Sequence, residues 1–425
     1  MFFFPTPPHG YRVVRLRILF HNCRILHPLN GGDRIRTFNM LKELRKRHHI
    51  TYLCLRTPAD SEESVALASE YCHELIPVAH AVKNKRGLRF YAEVLGNTFF
   101  GKYPFLASKY VSAESIAHLS RLIAGGQFDL LICDYLAPMG NLLELPERPR
   151  VPMMLFQHNV ESVIFKRHAE TATNPLKRAL YRKQWRAVER MEQQAAAFVD
   201  TQVAVSESDA SLFQEMGMRN VLGAVPTGVD CEFFQPPAQP PKRPVLAFLG
   251  AMDWEANQDA VRWFTTEVLP RIRARVPAAE FLGIGRNPPA SLRALAASDP
   301  LVRLTGTVPD VRPHMAEAAA MVLPLRVGGG TRIKVYEAMA MGTPVISTTI
   351  GAEGLDYTHG KNILIADTAE AFANEAIALL SDAARAAEIA AEARRHVAEN
   401  YSWGSVASIF GHYCEQTVER AKPRI

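Results

Sequence analysis

The feature of this sequence that most restricts its fold is a repeated order of buried strand, glycine-containing turn and helix. The order first occurs where the apolar run Val13–Phe20 is followed by Gly31 and Gly32, then by an apolar residue at every third position, and then by Ile50–Leu55. A strand, a helix and a second strand in this order form a parallel βαβ unit. We therefore expect an α/β fold built on parallel sheets.

The same order begins again after a proline-rich segment. Five prolines lie between positions 236 and 244, where neither a helix nor a central strand can continue. This break predicts a Rossmann-like domain at residues 1–230, a linker at 231–244, a second Rossmann-like domain at 245–400 and a helix at 401–425. Packing of that helix back on the first domain is left open by the sequence. Further strands are predicted at the apolar runs Leu130–Cys133, Met153–Phe156, Gln202–Val205, Val245–Gly250, Glu280–Ile284, Met321–Leu325, Val345–Thr348 and Ile363–Ala366.

Composition and charge exclude several classes of protein. The chain has 425 residues and a formal net charge of +6, which favours phosphate-bearing or polyanionic partners. No zinc-finger spacing, basic heptad region or aromatic-plus-basic RNA motif occurs, so nucleic acid is not predicted as a partner. The six cysteines stand singly, which favours structural thiols. Since no apolar run approaches the roughly 18 residues of a membrane-spanning helix and no secretory leader is present, we expect a cytoplasmic protein.

The most informative segment lies after the predicted strand Met321–Leu325. The turn residues Gly328, Gly329, Gly330 and Thr331 follow this strand, and a helical pattern begins after them. A glycine turn before a helix presents unpaired backbone N–H groups and the positive end of the helix dipole to a ligand. This arrangement suits a diphosphate.

Two charged residues in the helix that follows, Lys334 and Glu337, lie three positions apart on one face, opposite Ile333, Tyr336 and Ala340. One interpretation is that the lysine binds phosphate and the glutamate accepts hydrogen bonds from ribose hydroxyls. The other is an ordinary surface ion pair, which is the commoner fate of a lone Lys-x-x-Glu. The triple glycine and the strand before it favour the first interpretation.

The residues from Glu337 to Val345 resemble a segment of glycosyltransferase family 4 in which the order is Glu-Ala-(Met/Leu)-Ala-x-Gly-x-Pro-Val. Segments similar to other parts of the family follow the expected order along the chain, at Gln157–Glu161, Pro226–Asp230 and Gly351–Gly354. Together with the first glycine loop, they extend the resemblance over essentially the whole chain, to about residue 419.

The resemblance implies a GT-B fold, in which two Rossmann-like domains face a cleft, with helices at the C-terminus. It also implies a retaining glycosyltransferase of bacterial polysaccharide or glycoconjugate biosynthesis. The C-terminal domain would bind a nucleotide sugar, UDP-linked or GDP-linked, and the N-terminal domain would bind a glycan or lipid-linked acceptor.

On the same basis, Glu337 contacts the donor ribose, Gly31 and Gly32 let the first loop approach the donor phosphates and the acceptor, and Gly250 belongs to the donor site. His158 is expected beside the donor sugar. Taken alone, the histidine is more often a satisfied residue at a strand end, and the two glycines are more often a simple turn. The position of His158 at the carboxyl end of a predicted strand favours a function.

Two departures separate this chain from the family pattern. Gly329 stands where members commonly carry a second glutamate, and Gly250–Asn257 contains no basic residue where many members have an arginine and a lysine. We therefore expect Arg332 and Lys334 to meet the phosphate charge, with Arg326 as a third candidate. The missing carboxylate leaves the donor sugar open.

The candidate catalytic residues are His158, Arg332 and Lys334. Without an assured nucleophilic carboxylate, departure of the diphosphate and attack by the acceptor are expected on the same face of the sugar. The leaving phosphate oxygen would take the proton of the acceptor, while Arg332 and Lys334 stabilise the charge that develops on it. A nucleophilic role for another residue stays open.

Neither a metal nor a cofactor is predicted. The chain contains no Asp-x-Asp, the paired-carboxylate site of metal-dependent glycosyltransferases. The segment Gly283–Pro288 begins like a dinucleotide fingerprint, but Pro288 replaces the third glycine, so NAD is not expected.

A long helix predicted between Asn174 and Ala197 carries a basic stripe. Arginines repeat every four residues along it, at Arg178, Arg182, Arg186 and Arg190, and a second basic group precedes it at Lys83, Lys85, Arg86 and Arg89. Such a stripe fits either the anionic headgroups of a membrane or a solvated helix face, and the sequence favours neither.

Two other functions stay open at this point. Nucleotide-sugar epimerases share the double-Rossmann architecture, and a protein with the donor pocket but without turnover would bind the donor only. The glutamate missing at Gly329 supports the binding protein, while His158 and the intact first glycine loop argue against it.

Overall fold

The structure, a computed structural model, describes residues 14–80, 88–327 and 332–421, except for the side chains of residues 88–92. Its contacts separate two units. Within the described residues, the N-terminal unit comprises positions in 14–226 and 406–421, and the C-terminal unit comprises positions in 227–405.

The N-terminal unit contains a sheet of seven strands among the described residues. The strands are β1 (Arg17–His21), β2 (His49–Arg56), β3 (Glu74–Ala79), β4 (Leu130–Asp134), β5 (Met153–Phe156), β6 (Thr201–Ala204) and β7 (Val221–Ala224). The helices are α1 (Gly32–Leu44), α2 (Glu62–Ala66), α3 (Leu88–Phe100), α4 (Phe105–Ser108), α5 (Ala113–Ala124), α6 (Met139–Leu142), α7 (Glu161–Thr171), α8 (Pro175–Phe198) and α9 (Glu207–Glu215), with a 3₁₀ turn at Leu67–Glu70.

The C-terminal unit contains a sheet of six strands among the described residues. The strands are β8 (Val245–Leu249), β9 (Glu280–Ile284), β10 (Val302–Leu304), β11 (Ala320–Leu323), β12 (Val345–Ser347) and β13 (Leu364–Ile365). The helices are α10 (Glu255–Trp263), α11 (Leu269–Arg273), α12 (Ala290–Ser298), α13 (Arg312–Met315), α14 (Ile333–Ala340), α15 (Ala369–Ser381), α16 (Ala383–Asn400) and α17 (Trp403–Ala421), with a π-helical turn at Phe264–Val268.

Both sheets are parallel, and their strand orders follow the same rule. The N-terminal order is β3-β2-β1-β4-β5-β6-β7, and the C-terminal order is β10-β9-β8-β11-β12-β13. In each sheet the first strand lies next to the fourth, so the direction of winding reverses between β1 and β4 and between β8 and β11. Ligands of doubly wound sheets bind at such a reversal, beyond the carboxyl ends of the strands.

The central strands are buried on both faces because helices cover both sides of each sheet. Every residue of β4, β5 and β6 is buried, and so is every residue of β11 and β12. This agrees with the near-continuous apolar runs from which these strands were predicted. The strands β3, β7 and β10 were not predicted. Each lies at the edge of its sheet, where one side is open to solvent and the apolar signal is weaker.

The units divide at different positions from the predicted domains. The first division falls after residue 226, whereas the predicted domain ended at residue 230. Val229 already belongs to the C-terminal unit because its N–H donates to the Tyr401 carbonyl oxygen at 2.7 Å. The proline-rich segment 231–244 therefore lies within the C-terminal unit.

The last helix, α17, changes unit along its length. From Val406 onward its residues belong to the N-terminal unit. The Phe410 ring centre lies 5.0 Å from that of Phe156 on β5, and the Thr417 and Thr201 hydroxyls are 2.6 Å apart. Residues after position 405 thus complete the core of the N-terminal unit.

Candidate functional site

The candidate site of the N-terminal unit lies where β1 and β4 end side by side. Asn22 follows β1, and Asp134 is the last residue of β4. His158 comes two residues after the end of β5, the next strand of the sheet. Parallel strands bring these three residues to one edge of the sheet, at the reversal of its winding.

Asp134 is the centre of a buried hydrogen-bond network. Its Oδ2 accepts from Asn22 Nδ2 at 2.7 Å and from Thr37 Oγ1 at 2.8 Å, while its Oδ1 lies 2.7 Å from His158 Nε2. The Asp134 side chain is 1% exposed and that of His158 is 8% exposed. Because both Asp134 oxygens take part in this network, the carboxyl group holds the imidazole Nε2 against Oδ1 and fixes the orientation of the ring.

Two aromatic rings hold His158 from its sides. The Phe156 ring centre lies 4.9 Å from the imidazole centre, and the Tyr135 ring centre lies 5.6 Å from it. Tyr135 has a φ of 59°, a left-handed conformation that is uncommon for a residue other than glycine. Such conformations cluster at functional sites, where surrounding contacts offset their cost.

Arg24 links Tyr135 to the first glycine loop. Its Nη2 donates to the Tyr135 hydroxyl at 2.7 Å, and its Nη1 lies 3.0 Å from Asp33 Oδ2. Asp33 directly follows Gly31 and Gly32 in the first turn of α1. Arg24, His158 and the first turn of α1, through Asp33 and Arg34, line one small pocket together with Asn22, Asp134 and Tyr135.

The two glycines of this loop have different surroundings. Gly31 is the residue before the first turn of α1, and no side chain caps the helix there. A Cβ at Gly31 would lie 2.7 Å from Asp33 Oδ1, whereas a Cβ at Gly32 would meet nothing within 4 Å. The absence of a side chain at Gly31 therefore leaves room for the Asp33 carboxylate, and the space at Gly32 leaves the uncapped helix start accessible.

The candidate site of the C-terminal unit lies where β8 and β11 end side by side. Gly250 follows β8 directly, and Arg326 follows β11 by three residues. Helix α14 begins at Ile333 without a side-chain cap and without an acidic residue in its first turn. The four predicted phosphate-binding turn residues, Gly328, Gly329, Gly330 and Thr331, lie outside the described residues.

Lys334 and Glu337 lie together on α14, as their spacing predicts. Burial lowers the pKa of Lys334 to about 8, assisted by the like charge of Arg332 and opposed by Glu337. Burial also raises the pKa of Glu337 to about 7, opposed by Lys334. Among the described residues, no carboxylate lies within ion-pair distance of Lys334 Nζ, and its nearest ring is Phe248 on β8, with a centre 4.9 Å away. The helix therefore presents a partly desolvated cation and carboxyl group.

The two predicted arginines differ in their environment. Arg326 forms a two-point ion pair with Asp259 of α10, with Nε 3.0 Å from Oδ2 and Nη2 2.5 Å from Oδ1. Its charge is thus already compensated. Arg332 is the residue before α14, and burial lowers its pKa while the charge of Glu353 opposes this effect.

A surface pocket lies beside Arg326. It is lined by Arg326, Val327 and the turn after β12, in particular Thr349, Glu353 and Gly354. The turn is fixed against the strand ends because the Gly351 N–H donates to Thr348 Oγ1 at 2.9 Å. A Cβ at Gly351 would lie 2.6 Å from the Leu323 carbonyl oxygen, so the close approach requires glycine.

Gly250 is a structural residue of the loop after β8. Its N–H donates to the Ile284 carbonyl oxygen at 2.9 Å, and a Cβ there would lie 2.9 Å from Asn257 Nδ2. That amide in turn donates to the Ala251 carbonyl oxygen at 2.8 Å. A ligand-binding role for Gly250 stays a prediction.

Sequence reasoning missed Asp134, Asn22, Thr37 and Asp259. A usable signal exists for Asp134, since it is the polar residue that ends the apolar run Leu130–Cys133. The other three residues acquire their partners only through long-range contacts. The roles predicted for His158, Arg332 and Lys334 stay predictions.

Comparison with solved structures gives the class of protein. Sucrose-phosphate synthase from Thermosynechococcus elongatus aligns with a TM-score of 0.60 and 17% identity, over 95% of this chain and 99% of that chain. The Anabaena protein HepE, solved in complex with UDP, aligns with a TM-score of 0.61 and 14% identity, over 94% and 100%. These likenesses and the two parallel sheets define the GT-B fold, as predicted from the sequence.

Sequence models of known families cover both units. A model described as Glycosyltransferase Family 4 matches residues 30–233, and one described as Glycosyl transferases group 1 matches residues 243–382. Within the GT-B class, the chain belongs to glycosyltransferase family 4, which confirms the resemblance read from residues 337–345.

Two curated relatives match part of the chain. Both are named D-inositol 3-phosphate glycosyltransferase. The protein from Rhodococcus opacus (strain B4) is 29% identical over 241 residues, 51% of this chain and 53% of that protein. The protein from Rhodococcus jostii (strain RHA1) is 28% identical over 238 residues, with shares of 51% and 52%. The chain thus spans about half the length of the curated relatives it matches. None of the helices in the described part combines the length and apolar character needed to cross a bilayer.

Proposed function

We propose that this protein is a retaining glycosyltransferase that moves a sugar from a nucleotide-sugar donor to a glycan or lipid-linked acceptor. Its family membership supports the transferase class. HepE, a structural neighbour, was solved with UDP and with UDP-glucose, which supports a UDP-linked donor as the first to test. The observation that carries the donor site is the partly desolvated pair Lys334 and Glu337 on α14.

The pair suits the diphosphate and ribose of a nucleotide sugar. Keeping Lys334 charged in a partly buried position is unfavourable, which is why its pKa falls to about 8. A diphosphate beside its ammonium group would supply the missing negative charge, and the uncapped start of α14 would add backbone donors. Glu337, one turn further along, can accept hydrogen bonds from two ribose hydroxyls.

The transfer step proceeds without a covalent enzyme intermediate. The bond between the anomeric carbon and the leaving phosphate oxygen breaks, and a bond to the acceptor oxygen forms on the same face of the sugar. The proton of the acceptor hydroxyl passes to the departing phosphate oxygen. Lys334 and Arg332 stabilise the negative charge that develops on that phosphate. We assign His158, oriented by Asp134, to contact with the donor sugar, as the family resemblance implies.

Ligand-dependent melting tests the donor site. The native protein is heated with UDP, GDP and a panel of nucleotide sugars, because a ligand that binds only the folded state raises the melting temperature. We expect a UDP-linked sugar to stabilise the native protein, and Lys334→Gln and Glu337→Gln to lose most of that shift. The exposed Glu370→Gln in α15 is the matched control. Absence of any nucleotide shift in the native protein refutes the donor site.

A second measurement separates transfer from related activities. The stabilising donor is incubated with the protein, with and without candidate acceptors, and the products are identified by mass spectrometry. Transfer or slow hydrolysis supports a transferase. An isomeric nucleotide sugar formed without acceptor identifies an epimerase, and an unchanged donor that still binds identifies a binding protein.

A further inference from the structure

Helix α8 carries an exposed surface rich in cations, which we call the basic face. It consists of Arg178, Arg182, Lys183, Arg186 and Arg190, and all five side chains are exposed. The helix begins with a strong cap, since Asn174 Oδ1 accepts two backbone N–H groups, at 2.9 and 3.1 Å. The opposite side of α8 is buried in the core through Val188, Met191 and Ala195. The basic face is therefore held rigidly on a stable helix.

Within the part of the chain that the structure describes, the cations of the basic face form no ion pairs. Among the described residues, no carboxylate lies within 4 Å of any of their charged nitrogens. Arg178 and Arg190 donate to the backbone oxygens of Ala172, at 3.1 Å, and Arg186, at 3.2 Å. By contrast, the exposed Arg395 is paired with Glu392 and Glu399. Five cations and one carboxylate, that of Glu189, line this surface, so its charge is strongly positive.

An exposed apolar group, which we call the aromatic edge, lies at the end of the neighbouring helix α3. It consists of Leu95, Phe99 and Phe100, and their exposed fractions are 48%, 59% and 92%. Phe100 is thus almost fully exposed to water. Burying such side chains from water is favourable by about 2 kcal/mol each, so a cluster of three exposed ones favours contact with an apolar partner.

The basic face and the aromatic edge form one surface. Lys183 Nζ lies 3.9 Å from the centre of the Phe99 ring, a cation–π contact that joins them directly. Beneath this contact, Gln184 Nε2 donates to Thr98 Oγ1 at 2.7 Å, and both side chains are buried. The relative position of α3 and α8 is therefore fixed by packed contacts. A second exposed apolar residue, Leu176 with 81% exposure, lies in the first turn of α8.

We propose that the basic face and the aromatic edge together bind the surface of an anionic lipid bilayer. The arginines would contact lipid phosphates, while Phe99, Phe100 and Leu95 would enter the boundary of the acyl chains. The long basic side chains match the layer of lipid phosphates, and the exposed apolar edge beside them matches the acyl chains beneath that layer. Leucines bury well among acyl chains but cannot stack on nucleobases, so the observations favour a membrane over a nucleic acid.

Membrane binding at this surface goes beyond the proposed sugar transfer and needs no donor. Of the second basic group predicted from the sequence, Lys83, Lys85 and Arg86 lie outside the described residues, as does the Arg89 side chain. The inference therefore depends on α8 and on the described end of α3 alone.

Vesicle flotation of the whole protein tests this surface. We use phosphatidylcholine vesicles with and without phosphatidylglycerol, and compare the native protein with Arg182→Glu/Arg186→Glu. The control is Arg262→Glu/Arg275→Glu, which changes the net charge equally at exposed positions of the C-terminal unit. We expect the native protein and the control to float only with anionic vesicles, and the α8 variant to lose at least about tenfold in bound fraction.

The apolar contribution is tested with Phe99→Ser/Phe100→Ser at high salt. Since salt screens the arginines, we expect this variant to detach at a salt concentration at which native protein stays bound. All variants replace exposed side chains, and an unchanged melting temperature shows that each is folded. Equal flotation of native protein with neutral vesicles, no flotation at all, or an equal loss in the control would overturn the inference. So would duplex DNA binding through the basic face without any flotation.

Discussion

Both units carry polar groups at the carboxyl ends of the strands where the winding of the sheet reverses. The hydrogen-bond and ion-pair partners of these groups differ between the units. In the N-terminal unit, Asp134 is fully buried and satisfied by Asn22, Thr37 and His158. In the C-terminal unit, Lys334 and Glu337 are partly desolvated, and burial moves the pKa of each toward neutrality. The N-terminal site is therefore organised without a ligand. In the C-terminal site, the charge of Lys334 would be neutralised by an anionic ligand.

This difference indicates how the two sites are used. A carboxylate with three short hydrogen bonds holds its histidine in one orientation, so little reorganisation is needed when a substrate binds. Among the described residues, Lys334 has no carboxylate within ion-pair distance, so it gains most from an anionic ligand, which favours its charged state. We therefore expect the C-terminal site to dominate donor affinity and the N-terminal site to affect turnover.

The largest effect is expected for Lys334→Gln. Removing this cation takes away the group that meets the charge of the leaving phosphate, so turnover should fall about 100- to 1,000-fold. Steady-state rates with the donor found by melting measure the loss. The exposed Lys361→Gln in the same unit is the control and should retain native rates. Comparable rates for Lys334→Gln and its control would contradict the role of α14.

A smaller loss, restricted to turnover, is expected for Asp134→Asn. The amide retains one acceptor oxygen only, so His158 loses its fixed orientation and the rate should fall about 100-fold. Donor affinity, measured by calorimetry, should not change. Asp200→Asn is the matched control, because Asp200 accepts the Met153 N–H at 2.8 Å at the amino end of the same sheet. If both variants lost turnover equally, Asp134 would have only a structural role.

The third effect is a pH dependence of UDP binding that results from the titration of Lys334. Without ligand its pKa is about 8, and a bound phosphate raises that pKa. Below pH 8 the lysine is already protonated, so its contribution to the affinity is constant. Above pH 8 binding must take up a proton, and affinity should fall by about tenfold per pH unit. Lys334→Arg, whose guanidinium stays charged, should show a flat profile. A native affinity that is constant from pH 7 to 9 would exclude this linkage.

The smallest effect concerns the stability of the protein without ligand. Glu337 has a pKa of about 7 in the folded protein, above its ordinary value. Ionising it therefore costs folding free energy, and this cost is absent at low pH and complete above pH 7. Relative to native protein, Glu337→Gln should gain on the order of 2 kcal/mol in unfolding free energy between pH 5 and pH 8. Denaturant titrations at both pH values measure the gain, and Glu370→Gln should show none.

Much of the fold was predictable because its signals are local. The apolar runs at β4, β5 and β9 were placed to within one residue of their ends. The edge strands β3 and β10 were missed because half-exposed positions do not produce a continuous apolar run. The domain boundary was displaced because prolines mark a break in regular structure, not the unit on which the segment packs.

The candidate sites also combine features that local sequence predicts with features that depend on long-range contacts. Lys334 and Glu337 were found from the sequence because their relation is one turn of a single helix. Arg326 was found too, but its ion pair with Asp259 joins residues 67 positions apart, so its compensated charge could not be foreseen. The aromatic edge and the basic face are likewise distant in the sequence, and only the structure shows that they are joined by the contact between Lys183 and Phe99.

The sequence by itself determined the two parallel α/β units, the glycine turns at their strand ends and the charged face of α14. These depend on periodicity and on near neighbours along the chain. Only the tertiary structure decided that Asp134 orients His158 and that Asn22 and Thr37 complete its network, because these contacts join residues up to 112 positions apart. Strand order and packing determine such partners. Both depend on the whole chain, so no short segment of the sequence predicts them.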